Sequence, residues 1–539
     1  MKFLSPQRFF LSVALGLSAL PGARAQFTNG QNAAHVWGQP NFTASATAAN
    51  PTDGTLATPS GIAVDPTTGK FFVADTANNR VLRYRSTAAY DNGASAEIAF
   101  GQETLFSKVA AVPPEADTMN APQGVAVDTS GNLWVADTGN NRVLKFTGAS
   151  KIATSGPDAN AFFGQEEDDT GTPTTSQRGM NAPTGLAFDS AGALYVADKG
   201  NNRVLKFNGA TSLASYAFAD GIFGQAALSN GQGNFLASTA GLSNSAFNAP
   251  VGVAVDLDGN LWVADSGNHR VLKFASVTTQ PINGSAIATL VLGQTNFTSN
   301  IVVNPPTAST LRGPSGVAFD PLGRLYVADT INNRVVIYQS PSTLIDGGAA
   351  TFVLGQATFI TNAATLPTTS QTSLNGPRGV VFSQNFIFVT DATTSRMVNF
   401  AITPGTPVVI GSSKYTFKYP RKKAFNFSVY NTGASDVFTI GVAIPSDAKK
   451  LAKVTFTYAG QDVTSELMAG TFTTSLFGPS SGPVVLRAKI TPKAASQGGG
   501  KCRFTVTATS KMNTSVSGQA TIGGKFKKVS PTPTPTPAP

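Results

Sequence analysis

One stretch constrains this chain more than any other. Residues 122–146 read PQGVAVDTSGNLWVADTGNNRVLKF, and the pattern recurs with small edits at 59–84, 183–207, 250–274, 314–338 and 377–400. The Asp that closes each "VAD" or "VTD" falls at Asp75, Asp137, Asp198, Asp265, Asp329 and Asp391. A repeat of this kind fixes the architecture before any local propensity is weighed, because one unit cannot bury its own apolar faces.

Each unit holds three short apolar runs. GVAVD and LWVAD have the Val and aromatic content of strands, and a Gly-bearing turn (DTSGN, DSAGA, DLDGN, DPLGR) separates them. RVLKF follows a second turn, TGNN, and a fourth run ends in Gly-Gln (IAFGQ, AFFGQ, GIFGQ, LVLGQ, FVLGQ). Four strands per unit, repeated around an axis, predict a β-propeller. The Gly-Gln strands end at Gln39, Gln102, Gln165, Gln225, Gln294 and Gln356, so the first precedes any complete repeat and none follows the sixth. That offset predicts a six-bladed ring in which residues 35–39 complete the last blade, because an open array would leave an apolar edge unpaired.

The pattern Pro-x-Gly-Val-Ala-Val-Asp…Gly-x-Leu-(Trp/Tyr)-Val-Ala-Asp-x-x-Asn-x-Arg resembles the NHL repeat, in the manner of secreted bacterial NHL-repeat propellers. The sixth unit departs most, with Ser383 in place of the turn Asp and Ser395 in place of an Asn. The resemblance implies a propeller but no particular activity, since such folds carry several.

Residues 1–25 have the form of a secretory signal: Lys2 and Arg8, then an apolar run, then Ala-Arg-Ala. No other stretch is long and apolar enough to span a membrane. Cys502 is the only cysteine and is expected in the core. The propeller is assigned to 26–404, with 19 Lys+Arg against 25 Asp+Glu; residues 405–539 hold 17 against 4. That asymmetry points to an electrostatic partner for the C-terminal part, such as an anionic cell-surface polymer; nucleic acid is not expected for a secreted chain. Residues 405–530 carry strand-like runs (KAFNFSVYN, KVTFTYAG, VVLRAKITP) that predict a β-sandwich of about seven strands. Within them, residues 431–440 (NTGASDVFTI) resemble Ig-like modules of bacterial surface proteins. Residues 531–539 form a Pro-Thr tail, expected to be extended.

Candidate site residues follow from the same repeat. Each unit pairs its closing Asp with an Arg five residues on: Asp75 with Arg80, Asp137 with Arg142, Asp198 with Arg203, Asp265 with Arg270, Asp329 with Arg334 and Asp391 with Arg396. A pair that occurs once per unit is expected to be a structural brace. A catalytic centre instead needs unlike groups at one point. His269 replaces the Asn of the other turns and is the one candidate general base. With only His35 and His269, a three-His zinc site is excluded. No cofactor is expected; calcium is the ion left open, by the EEDD run at 166–169 and the DLDGN turn at 256–260. Strand alternation puts the TGNN turns and the long connections after Gly-Gln on one face. These run over 40–58, 103–121, 166–182, 226–249, 295–313 and 357–376. The expected function is therefore a non-catalytic scaffold binding a protein or polysaccharide on that face. The alternative is a metal-dependent lyase or lactonase-like hydrolase with its site in the channel.

Overall fold

The structure, a computed structural model, describes residues 27–85, 91–225, 239–277, 283–339, 341–364, 369–383, 385–402, 407–410, 414–431, 436–475, 483–514 and 516–528. The expected signal and Pro-Thr tail lie outside them, as do 432–435 of the Ig-like stretch and parts of two long connections. The chain divides into two units, Phe27–Ile402 and the part from Thr403 on. It is all-β with few short helices.

The first unit consists of small four-stranded antiparallel sheets arranged as in propellers. One sheet contains Ile62–Val64, Phe71–Asp75, Arg80–Tyr84 and Ile98–Phe100; the next contains Gly124–Val127, Leu133–Asp137, Arg142–Phe146 and Ala161–Phe163. The same succession starts again at Pro183, Pro250 and Pro314. A sixth sheet joins Pro377–Ser383, Phe386–Asp391 and Arg396–Ala401 to His35–Trp37, with Val36 opposite Val398. The second strands (FFVAD, LWVAD, LYVAD) are buried at every position, so both faces are apolar rather than alternating.

Glycine in Pro-x-Gly sets how closely the sheets approach. A Cβ at Gly124 would lie 1.8 Å from the Thr184 carbonyl oxygen, and one at Gly252 would lie 1.9 Å from that of Ser315. Gly379 meets the Ser60 carbonyl in the same way, at 2.3 Å, and so carries the contact from the sixth sheet to the first. Beside it, Thr390 Oγ1 donates to that same carbonyl. A side chain at any of these positions would force the strands apart.

The outer strands are covered by a second recurring contact. The Ala99 N–H donates to Ser155 Oγ at 3.0 Å, while the Gly156 N–H donates to the Ala99 carbonyl at 3.1 Å. Val291 is held likewise by Asp346 and Gly347. Asn29 and Gly30 hold Val353, and Asn92 and Gly93 hold Val36. The N-terminal segment therefore supplies both the cover of the fifth sheet and the outer strand of the sixth. Backbone groups that would otherwise template aggregation are thus paired.

From Thr403 on, two five-stranded sheets share one core that includes Phe427, Phe456, Leu486, Cys502, Phe504 and Ile522. Among the described residues there are ten strands where the sequence pattern suggests about seven, because pieces such as Gln461–Asp462 and Phe472–Thr473 are too short to show a period. Burial pushes the Cys502 thiol up to about 11, which keeps it protonated.

Trp37 is 1% exposed and packs on Phe71 of the first sheet and Phe388 of the sixth. Trp37→Ala is expected to cost about 3–5 kcal/mol, as for any buried Trp. Urea unfolding measures this. A loss below about 1 kcal/mol would mean the N-terminal strand is dispensable.

Candidate functional site

The Asp–Arg pairs lie at the end of each sheet where the second strand turns into the third. The Asp is followed by a single 3-10 turn and a left-handed residue, which brings Asp137 opposite Arg142 in register. Arg142 Nε donates to Asp137 Oδ2 at 2.8 Å, and both side chains are fully buried. Arg80 on Asp75, Arg203 on Asp198, Arg270 on Asp265, Arg334 on Asp329 and Arg396 on Asp391 repeat this at 2.6–3.0 Å. Burial raises the Asp137 carboxyl; the Arg142 charge and the N–H donors of Asn120, Arg142 and Asn140 oppose it.

The free arms of each Arg reach the long connections. Arg142 donates to the carbonyls of Glu115 and Thr118 in one connection and of Asp168 in the next. Arg203 reaches Ser176 and Gly179, and Arg270 reaches Ser243, Ala246 and Phe297. Arg334 reaches Thr307, Thr310 and Phe359, and Arg396 reaches Phe42 and Ser373. The brace extends beyond its own turn: Arg80, Arg142, Arg270, Arg334 and Arg396 each hold two connections, and Arg203 holds at least one. The Gln of Gly-Gln adds a clamp: Gln102 Nε2 bonds to the carbonyls of Asn79 (3.0 Å) and Val109 (2.7 Å). Gln39 does the same to Ser395 and Ala46. The long connections are thus fastened from beneath rather than loosely draped.

They nevertheless expose apolar side chains. Phe106 (66%), Val112 (92%), Ile301 (65%) and Ile360 (63%) stand out on this face, together with Val109, Val302, Val303 and Ile331. Among the described residues, the turns at the opposite end expose only Phe218, Leu257, Ile287 and Ile345.

His269 sits in the left-handed position of its turn, with φ 57°. Its Nδ1 accepts the Gly313 N–H at 3.1 Å. Asn79, Asn141, Asn202 and Asn333 accept the corresponding N–H from the next unit with their Oδ1. The imidazole therefore stands in for an Asn amide oxygen, and Nδ1, the atom a general base would need, is already engaged.

The two acidic stretches have different surroundings. Asp256 accepts from Asn260 Nδ2 and from Trp262 Nε1 (2.8 Å), and so ties the hairpin turn to the second strand. Asp128–Trp134 and Asp320–Tyr326 repeat the bond. Where the aromatic is Phe72, Ser150 from the next unit donates to Asp65 instead, at 2.5 Å. Glu166, Glu167, Asp168 and Asp169 are exposed or nearly so on their connection. No group of three or more His, Cys, Asp or Glu residues converges among the described residues.

A cavity of about 360 Å³ opens where the first strands begin. It is lined by the x residues of Pro-x-Gly (Ser60, Gln123, Thr184, Val251, Ser315, Arg378) and by Lys199, Ser266 and Thr330, which follow the motif Asp. None of the six motif pairs lines it: Arg203 and Arg270, like the other motif arginines, point away into the connections. His269 does not line it either. In the sequence these lining positions stand beside apolar strands whose regularity masks them. The available signal is that x and the post-Asp residue change from unit to unit while their flanks repeat.

His269 generates a pH prediction. Burial and then the Arg312 charge lower its pKa from the ordinary value, against the pull of Asp329 and the Ser266 backbone. The unfolded chain then binds the proton more readily. The stabilisation is complete above about pH 6.5 and is lost as pH falls through the lower folded value. His269→Asn is expected to remove that part of the pH dependence. Urea midpoints at pH 8 and pH 5 check it, and equal pH slopes in the two proteins would refute it.

Comparison with known proteins identifies the repeat. A family model for the NHL repeat matches residues 56–84, 119–146, 180–207, 247–274 and 311–338. The chain is 24% identical over 354 residues to human "NHL repeat-containing protein 2", covering 62% of this chain but only 45% of that protein. Among solved structures, a streptogramin B lyase matches with TM-score 0.35 at 12% identity, over 66% of this chain and 95% of its own. A gluconolactonase from Xanthomonas campestris matches with TM-score 0.38 at 14% identity, over 67% and 98%. These structural likenesses say nothing of activity. The chain therefore carries NHL repeats in five of its units and is similar to NHL-repeat proteins.

Proposed function

We propose that the six sheets are blades of one closed propeller, that the chain is secreted, and that the face bearing the long connections binds a protein or polysaccharide without catalysis. One observation carries this reading: the connections are fixed by buried Arg and Gln side chains, yet present exposed apolar groups outward. A rigid surface with apolar anchors loses little entropy on binding. The test uses an array of glycans and surface polymers. Val112→Asp and Ile301→Asp are each expected to weaken binding at least tenfold. Leu257→Asp, at the opposite end and 75% exposed, is the control. Equal effects from all three would remove the face assignment.

The C-terminal part is proposed as a β-sandwich that holds the protein to an anionic cell-surface polymer. In support, Lys418, Arg421, Lys422, Lys423 and Lys527 surround one depression with no carboxylate among its lining residues. Retention on such a polymer is expected to collapse between about 0.1 and 1 M salt, where the Debye length falls from about 10 to about 3 Å. Replacing Arg421, Lys422 and Lys423 by Gln in the full chain should reproduce that loss at low salt. Retention that survives both changes would exclude the electrostatic attachment.

A further inference from the structure

The cavity at the start of the first strands has a charge pattern that its packing does not explain. Its lining includes two cations, Lys199 and Arg378, and no carboxylate. Among the described residues neither cation has an ion-pair partner. Arg378 is half-buried, and one guanidinium nitrogen donates to Ser60 Oγ at 3.2 Å. The contrast with the motif arginines is direct, since each of those is fully buried against its own Asp. A guanidinium cannot shed its proton to escape an apolar setting, so holding it in a cavity without a counter-charge costs stability.

The rest of the lining suits one kind of ligand. Ser60 Oγ accepts from Thr76 Oγ1, Thr184 donates to the Val251 carbonyl, and the Ser315 and Thr330 hydroxyls bond to each other, so these oxygens form an ordered polar wall. Gln123 adds an amide. Val251 and the glycines leave flat apolar surface beside these groups. The volume lies at the low end for small-molecule pockets, sufficient for a sugar-sized molecule rather than a folded chain. The guanidinium fork matches the two oxygens of a carboxylate.

We infer that this cavity binds a carboxylated, hydroxyl-rich small molecule of the sugar-acid class, such as the terminal unit of an acidic polysaccharide. Arg378 anchors the carboxylate, Lys199 supplies the second positive charge, and Gln123 and the hydroxyl wall meet the ligand's hydroxyls. The assignment deepens the proposal that this face is a binding surface and rests on it.

The test is calorimetric titration of the full chain with glucuronate, with glucose and inorganic phosphate as comparison probes. Glucuronate is expected to bind and glucose not to bind at the same concentrations. Arg378→Gln should weaken glucuronate at least tenfold and Lys199→Gln several-fold. Thermal unfolding separates ligand binding from a structural role. Relieved of an unpaired charge, Arg378→Gln should hold or raise the midpoint, whereas an Arg that merely props Ser60 would give a lower one. Three results overturn the inference: glucuronate binding no better than glucose, binding indifferent to both substitutions, or phosphate displacing glucuronate at equal concentration. Should glucuronate fail while Val112→Asp still abolishes polymer binding, only the cavity assignment falls. Loss of both would take the binding face with it.

Discussion

The buried Asp–Arg pair is the interaction on which the rest depends. Such a pair does not stabilise by charge attraction alone, because desolvating both groups cancels much of the gain. Its value here lies in geometry. The Asp uses one oxygen for its Arg and the other for a backbone N–H, as Asp137 does with Asn120 at 2.7 Å. The Arg spends its remaining donors on carbonyls of two different connections. One pair thus closes a turn and fixes the loops that precede and follow its sheet. The same unit repeated six times makes one end of the domain rigid while leaving its surface chemistry open.

The second constraint is the glycine of Pro-x-Gly. It lets neighbouring first strands meet backbone to backbone, which draws six side chains from the preceding position around one cavity. The glycine therefore cannot vary without moving strands, whereas the residue before it faces space. Framework and site are adjacent in sequence yet under opposite demands. The same separation holds at the end of the second strand, where the Asp repeats and the next residue is Thr76, Thr138, Lys199, Ser266, Thr330 or Ala392.

His269 shows how a local exception can be chemically ordinary. Its position in a repeated turn invites a catalytic role. The structure instead gives its Nδ1 the acceptor duty of the Asn in other units, toward the next unit's backbone. The Asp256 turn is similar, because a carboxylate that resembles a calcium ligand is occupied by Asn260 and Trp262. In both cases neighbouring hydrogen bonds give the side chain a structural task.

The sequence by itself determined the repeat, the four strands per unit, the shared face of the turns and connections, and the split between an acidic repeat part and a basic remainder. All of these follow from spacing, turn chemistry and charge, which are local or additive. The short strands after Thr403 were harder to see, because pieces of two or three residues carry no period. The reach of Arg203 and Arg270 into the connections was equally hidden, since spacing reveals the partner Asp but not the backbone carbonyls beyond it. Only the tertiary structure decided which variable residues meet. Arg378 and Lys199 are far apart in the chain and belong to different repeats, and nothing in their immediate sequence context marks them as neighbours. They share a cavity because backbone packing at the glycines brings the starts of the sheets together, and that convergence is a property of the assembled fold.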